Sequence, residues 1–450
     1  MEPRILDDIL AHLRDKLEQD DLSGARALIE SLRPPDQAEL FAELNDADQI
    51  ALLPELNPTD SADILEELDD QDVAELVAAL PTAAIIRIVD EMEPDEAADL
   101  IGDMSPVQAQ AVLAGLEDPE EIHPLLLHPD DSAGGLMTSD YIALRRLMTA
   151  QEAIEVLRAW QPDAEMLYYL FVVDARGKLC GVVGLRHLIV ADPQTRIADI
   201  MDPDVIAIPA GADQEDAANL MQRYDLLALP VTDADGHLLG VVTIDDAVDV
   251  LVDEATEDIQ RLGGAQPLGR SYLETPVFTV MRKRIGWLLL LFVTGSLTAT
   301  VMAQFEGVLN SAIVLSFFVP LLIGTGGNAG SQTTNTIIRA LAVGDIDRGD
   351  ALRALWHEMR VGILIGLGMA LVGFLRAVTT PEATPELALV VALAIFAIVI
   401  WANGIGAMLP VLATAIGIDP TIVSGPVMST LVDATGLFIY FTIARLILGL

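Results

Sequence analysis

The sequence predicts a multidomain membrane protein: an all-α superhelical N-domain, a duplicated α/β region and an all-α transmembrane domain of five helices. Three observations carry that prediction. A leucine-centred unit recurs every twelve residues between Leu32 and Leu116. A strand–helix–hairpin pattern occurs twice between residues 133 and 252. Long apolar segments then crowd into positions 281–450, where the charge balance also changes. The expected boundaries are 1–132 for the helical repeats, 133–252 for the duplication, 253–280 for a connecting helix and linker, and 281–450 for the membrane part.

Charge separates the same regions. The chain has 450 residues and a formal charge of −43, yet residues 281–450 hold nine Lys/Arg and nine Asp/Glu. All of the net acidity therefore lies ahead of Met281. Such a surface repels nucleic acid and anionic lipid and attracts cations. Its self-repulsion is destabilising unless something neutralises it, and oxygen-bound divalent cations would. The alternative is a charge kept for solubility. The lone Cys180 excludes an internal disulfide framework and cysteine-rich metal sites. Met1–Asp20 is charged throughout and reads as no cleavable signal, so the soluble part is expected to stay in the cytoplasm.

Residues 1–31 read as one amphipathic helix with Ile5, Leu6, Ile9, Leu10, Leu13 and Leu17 on one face. The repeat follows, in register at Leu32, Leu44, Leu56, Leu68, Leu80, Met92, Met104 and Leu116. In the clearest unit, from Leu56 to Glu67, an Asn-Pro start precedes an acid, a small residue and an apolar pair, which is the signature of a short helix. Units of this kind are stable only as a stack. Asp60, Asp63, Glu66, Glu67, Asp69, Asp70, Asp72, Asp95, Glu96 and Asp99 fall on the expected outer face, either simply solvated or forming one wall of a cation-bridged interface.

In the duplication, Met137–Leu144 matches Met201–Ile208, and Val173–Arg186 matches Thr232–Asp245. Each copy reads as a short strand, a helix (Ala150–Ala159; Gln214–Tyr224), a β-hairpin turning at Arg-Gly or Asp-Gly, and a closing helix. The last closing helix continues past Asp245, with Asp246, Asp249, Asp253 and Glu257 three to four residues apart and so on one face. Gly263-Gly264 ends it.

Five apolar segments come next, about Ile285–Gln304, Ala312–Ala340, Val361–Val378, Leu387–Ile418 and Ile422–Leu448. Arg282, Lys283 and Arg284 precede the first, and Arg339, Arg348, Arg353 and Arg360 lie between the second and third. Basic loops face the cytoplasm, which places the N-terminus inside and the C-terminus outside. The second segment contains Pro320-Leu-Leu-Ile-Gly-Thr-Gly-Gly-Asn-Ala-Gly-Ser-Gln-Thr-Thr-Asn335, too polar for a lipid-facing helix. Backbone freed by its glycines is expected to line a wet cavity with carbonyl oxygens, hydroxyls and the Asn328 amide. Close packing by small residues would explain the glycines but not Asn328, Gln332 and Asn335 together. Asp433 is the only acid of the last segment. A carboxylate at membrane depth costs about 2.5–3.5 kcal/mol and normally faces a partner or a water-filled path. The segment's only base, Arg445, lies twelve residues or about 18 Å along the helix, too far to pair. One carboxylate among neutral oxygens suits Mg²⁺, which keeps part of its water shell. A twofold dimer would bring two copies of Asp433 to one axis.

The duplicated region resembles a tandem pair of CBS domains, through Val-Asp-Ala-Arg-Gly-Lys-Leu-Cys-Gly-Val-Val from Val173 and Thr-Asp-Ala-Asp-Gly-His-Leu-Leu-Gly-Val-Val from Thr232. Together with the Gly-Thr-Gly-Gly-Asn-Ala-Gly run from Gly324, the Ser-Gly-Pro and Asp-Ala-Thr-Gly runs of the last segment, and the acidic helical N-domain, the whole chain resembles the MgtE family of magnesium channels. The resemblance implies a homodimer in the cell's inner (plasma) membrane that admits Mg²⁺ and closes when cytosolic Mg²⁺ is high. It implies selectivity at Asp433, a pore motif at Gly324, Gly327 and Asn328, and a plug formed by the helix leaving the second CBS copy. Regulatory Mg²⁺ would be held by Glu215, Asp225, Asp246, Asp249, Glu254, Glu257 and Asp258. CBS pairs often bind adenine nucleotides, so ATP is a possible ligand, with Asp245 placed near its ribose. The expected partners are Mg²⁺, a second copy of the chain and the bilayer, and not nucleic acid.

Other readings fit less of the chain. His357-Glu358 begins like a zinc-protease motif, but Val361 stands where the second His is needed, and no Walker loop occurs, so no enzyme is expected. A membrane-anchored nucleotide sensor would need neither Asp433 nor the polar second segment. Transport of Mn²⁺ or Co²⁺ is the nearer alternative. The lack of His and Cys around Asp433, with Met428 the only sulfur, favours a hard, oxygen-bound ion.

Overall fold

The computed structural model describes residues 3–160, 169–268, 272–273, 275–381, 384–423 and 425–449. Ser424 of the Ser-Gly-Pro run lies outside the described residues. Two compact units divide the chain, one running to Glu254 and one starting at Ala255.

The first unit opens with α1 (Pro3–Glu18) and α2 (Leu22–Ile29), two helices where the periodicity of residues 1–31 predicts one. The break has a local cause. Asp20 adopts a left-handed φ of +57°, and Asp21 then caps α2 by accepting from the Gly24 N–H at 2.9 Å. Eight helices follow: α3 (Pro34–Ala42), α4 (Asp46–Leu52), α5 (Pro58–Glu66), α6 (Asp70–Ala79), α7 (Thr82–Val89), α8 (Pro94–Asp103), α9 (Pro106–Leu113) and α10 (Pro119–Ile122). From α3 to α9 each begins twelve residues after the last, often with Pro in the first turn, where its missing N–H costs nothing. The register residues close these helices: the N–H of Leu44, Leu56, Leu68, Leu80, Met92 and Met104 each donates to the carbonyl three residues back. Yet each helix packs on its second neighbour, α3 on α5, α5 on α7 and α7 on α9 in one row, α4 on α6 and α6 on α8 in the other. The structural repeat is therefore two sequence units. Three acids tie the rows: Glu30, Glu66 and Asp90 each accept, at 2.9 Å, from the N–H of the residue 27 positions on, Asn57, Glu93 and Glu117.

The duplicated region forms two sheets of one topology. In the first copy β1 (Ala143–Arg145) leads through α11 (Ala150–Trp160) to β2 (Tyr169–Val173), β3 (Leu179–Gly184) and α12 (Leu185–Val190), followed by α13 (Ile197–Ile200). In the second, β4 (Ile208–Pro209) leads through α14 (Gln214–Tyr224) to β5 (Ala228–Thr232), β6 (Leu238–Thr243) and α15 (Ile244–Leu262). The helical crossover makes the first two strands of each sheet parallel, and the tight hairpin makes the last two antiparallel. Gly177 and Gly236, at φ +82° and +84°, turn the hairpins as the duplicated Asp-x-x-Gly pattern requires. Each copy lends its leading segment to the other's hairpin: Thr138 N–H donates to Val241 O and Val182 N–H to Asp202 O, both at 2.9 Å.

The second unit contains α16 (Val277–Gln304), the short α17 (Glu306–Ser311), α18 (Leu315–Ala342), α19 (Ala351–Val378), α20 (Pro385–Ala415) and α21 (Gly425–Leu448). Among the described residues α16, α19, α20 and α21 are long and apolar enough to cross a membrane. The second of the five expected spans, α18, has the length, at 28 residues, but its polar run sets it apart. α20 lies at the centre, packed on α18, α19 and α21. The Tyr440 hydroxyl, fully buried, donates to Leu315 O at 2.9 Å and fixes the start of α18 against α21.

Candidate functional site

The glycines of α18 have a use other than the one predicted. The run from Pro320 to Asn335 is a continuous α-helix, so its carbonyls are engaged in the helical ladder and are not free oxygen ligands. What the glycines provide is close approach to α21. A Cβ at Gly326 would stand 2.8 Å from Val432 Cγ1, and one at Gly330 2.5 Å from Met428 Cε. Gly327 faces Ser429, and Ser331 Oγ lies 3.4 Å from Ser429 Oγ and donates to Gly425 O at 3.4 Å. Positions rise along α21 as they fall along α18, so the helices are antiparallel. Asp433 follows Val432, which meets Gly326, and is thereby placed near the level of Thr325.

With one face of α18 used for packing, another is exposed. Gly324, Asn328, Gln332 and Asn335 are all exposed and three or four residues apart, forming one stripe, while Asp433 is half-buried. Amides at this depth are unfavourable against lipid and require water or protein before them. The stripe can offer neutral side-chain oxygens, and Asp433 a carboxylate, to a partly hydrated cation.

A second concentration of acid lies in the first unit. Asp95 and Glu96 on α8, Glu66 at the end of α5 and Asp246 at the start of α15 act on one another. Asp95 is 5% exposed, and among the described residues its Oδ1 has no hydrogen-bond partner. Burial, then Asp246, pushes the Asp95 carboxyl well above the usual range. Burial, then Asp99 and Glu66, pushes Glu96 up to about 8. Burial raises Asp246 to about 6, although the Thr243 hydroxyl donates to it and opposes the rise. Mutually repelling, desolvated carboxyls with an orphaned oxygen are the donor set that a divalent cation would relieve.

The other predicted ligands are dispersed. Glu215 stands in the first turn of α14, and Asp225 ends that helix at φ +52°. Glu254 Oε1 accepts at 3.1 Å from Nε2 of Gln214, which is on the same helix as Glu215. Asp249 is exposed and Asp258 half-buried on α15. Glu257 is tied to Arg261 at 2.5 Å, and Arg261 also reaches Asp419 at 2.9 Å, joining the end of α15 to the loop before α21. Asp245 is exposed, two residues past Thr243, which lines a crevice of only ≈ 10 Å³ with Tyr141, Tyr169 and Phe171. The equivalent cleft beside Cys180 and Pro203, ≈ 220 Å³, is more open. Asp233, Asp235 and His237 cluster at a hairpin turn, but Asp233 is held near pKa 2 by the turn's own donors, the His237 N–H and ring first.

Two buried polar groups escaped the sequence reading. Glu358 appeared there only as part of an incomplete zinc motif, and Asn403 not as a site at all. Both are buried within long apolar helices, Glu358 9% and Asn403 1% exposed. Glu358 falls among Arg353, His357 and Arg360, ahead of the apolar segment expected from Val361, which hides its place in the helix.

Comparison with known proteins covers both sites. The divalent cation transporter profile of MgtE matches residues 319–443, the MgtE intracellular N domain 32–131, and CBS domains 133–193 and 197–253. The magnesium transporter MgtE of Thermus thermophilus is 45% identical over 339 residues, 75% of each chain. That of Enterococcus faecalis is 37% identical over 73% of this chain and 72% of its own. Among solved structures, the cytosolic domain of the Mg²⁺ channel MgtE in complex with ATP aligns with a TM-score of 0.51 at 38% identity, covering 54% of this chain and 99% of that one.

Proposed function

The chain belongs to the MgtE family of divalent cation transporters, a membrane protein family and not an enzyme class, and from that premise we propose that it admits Mg²⁺ through a pore lined by α18 and α21. The observation that carries the reading is the exposed amide stripe of α18 beside Asp433. A second copy of the chain, related by a twofold axis, would cover that stripe and bring two Asp433 carboxylates to one path. Two carboxylates with neutral oxygens hold a hydrated divalent ion without stripping its shell, which permits both entry and exit. The basic segments at Arg282–Arg284 and between Arg339 and Arg360 support an N-terminus and CBS pair on the cytoplasmic side and a C-terminus outside, in the inner membrane.

Gating follows from the acid cluster. At low cytosolic Mg²⁺ the carboxylates of Asp95, Glu96 and Asp246 repel. At high Mg²⁺, ions held there and at Glu215, Asp225, Asp249 and Glu254 favour the compact arrangement, and α15 acts as the plug. The effect is a population shift, requiring only that the closed state binds more Mg²⁺. Glu257 and Asp258 enter the same scheme at the membrane end of α15. Glu257 is the less available ligand, since Arg261 already neutralises it. ATP in a CBS cleft is a further proposal, supported by the ATP complex of the similar cytosolic domain. The test is Mg²⁺ flux into proteoliposomes containing wild type or Asp433→Ala, at low and high cytosolic-side Mg²⁺, with Mn²⁺ and Co²⁺ as competing ions. Flux that survives the substitution would remove Asp433 from the path.

A further inference from the structure

Glu358 is the one acid in α19 and is buried two turns from its start. Its Oε2 accepts from Thr333 Oγ1 of α18 at 3.1 Å, and Thr333 is itself 4% exposed. The third helix closes tightly on this pair. A Cβ at Gly406 of α20 would stand 3.1 Å from Thr333 Cβ and 2.8 Å from Gly330 O, and Thr334 Oγ1 donates to Gly406 O at 3.4 Å. Asn403, one turn before Gly406, lies against Gly362, one turn after Glu358. A polar node thus joins three helices where glycines let their backbones approach closely. An ionisable group buried in a membrane bundle is expensive to keep, and lipid packing alone gives no reason for it.

The node has a definite relation to the exposed stripe. Thr333 follows Gln332 and precedes Asn335 by two residues, which turns it about 100° from the first and about 160° from the second around the helix. Glu358 therefore grips α18 from behind, on the side away from Gln332 and Asn335, and about 12 Å along α18 from the level of Asp433. We propose that Glu358 is a positioning residue for conduction: by accepting from Thr333 it fixes the rotation of the inner half of α18, so that Gln332 and Asn335 face the path. The inference rests on the pore reading for its functional meaning, but the helix rotation it asserts can be measured separately.

The experiment uses the full chain carrying Cys180→Ala, which removes the only native thiol, and Asn335→Cys as a reporter. The rate of its reaction with a membrane-impermeant thiosulfonate is read in Glu358→Gln, Glu358→Leu, Thr333→Val and Thr333→Ser. Mg²⁺ flux is measured in parallel without the reporter. Thr333→Val and Glu358→Leu are expected to change the labelling rate about tenfold and to lower flux several-fold, and their combination to do no more than either alone. Glu358→Gln keeps an acceptor and Thr333→Ser a donor, so both should stay within about twofold of the parent. Thr333→Val is isosteric and carries the test if Glu358→Leu does not fold. Unchanged labelling in Thr333→Val overturns the inference. So does a Glu358→Gln as impaired as Glu358→Leu, which would make the charge an ion ligand. If labelling shifts as expected while Asp433→Ala conducts normally, the positioning stands and the pore reading fails. If Asp433→Ala is dead and labelling does not move, the reverse holds.

Discussion

The two units use carboxylates in opposite ways. In the first, Asp95, Glu96, Glu66 and Asp246 are buried among further carboxylates, and burial first, then neighbouring charge, raises the proton affinity of each. In the second, Asp433 and Glu358 lie on separate helices, with serine, threonine and asparagine side chains on the helices around them. Pooled acids demand cations in number and change state when these are supplied, which suits a sensor. A sparse acid among neutral oxygens attracts an ion without trapping it, which suits a path. Density of charge, more than its presence, distinguishes holding from passing.

The comparison can be broken most directly at Asp433. Asp433→Ala should lower Mg²⁺ flux about a hundredfold or more, measured in proteoliposomes with a Mg²⁺-sensitive dye, because the path loses both Asp433 carboxylates. The next effect belongs to the pool. Glu96→Gln combined with Asp246→Asn should raise the cytosolic Mg²⁺ needed for half-closure about tenfold, read from flux against internal Mg²⁺, while leaving maximal flux in place. Asn328→Ala should cut flux only a few-fold, since a neutral ligand shares its task with water. The smallest effect is on stability without metal. Glu96 is raised from its ordinary value to about 8 and Asp246 to about 6, so the folded unit binds protons more tightly than the unfolded chain. Stability then rises as pH falls from about 8.5 toward 5, and is lost as pH rises through the folded values. In EDTA the melting temperature of the first unit should rise by about 2–4 °C over that range, by differential scanning fluorimetry. Glu96→Gln should flatten the slope, and millimolar Mg²⁺ should do the same.

Much of this was legible in the chain, for physical reasons. Prolines and small polar residues mark helix starts wherever they fall, so the twelve-residue register located α3 to α9. The duplicated Asp-x-x-Gly turns needed left-handed glycines and had them at Gly177 and Gly236. Asp433 and the α18 amides stood out because polar groups are costly in an apolar segment. What periodicity did not reveal is proximity between distant positions. Asp95 lies in the helical repeats and Asp246 at the far end of the CBS pair, and nothing local announces their meeting. The Thr333–Glu358 bond was hidden similarly, and hydropathy also trimmed α19, whose first turns carry Arg353, His357, Glu358 and Arg360 and read as loop. Glycines such as those of α18 can free backbone or thin a helix, and which they do depends on whether a neighbour such as α21 is close enough to need the room.

The alternating rows of the N-terminal helices bear on how this array can change length. Because α3, α5, α7 and α9 share one row and α4, α6 and α8 the other, deleting a single sequence unit would transfer every later helix to the opposite row. The Glu66–Glu93 and Asp90–Glu117 links, each spanning 27 positions, would lose their partners at the splice. Removing two units keeps parity and only shortens the stack. Viable insertions and deletions in this domain should therefore come in whole pairs of units, an arithmetic imposed by two-row packing on a chain whose visible rhythm is half that long.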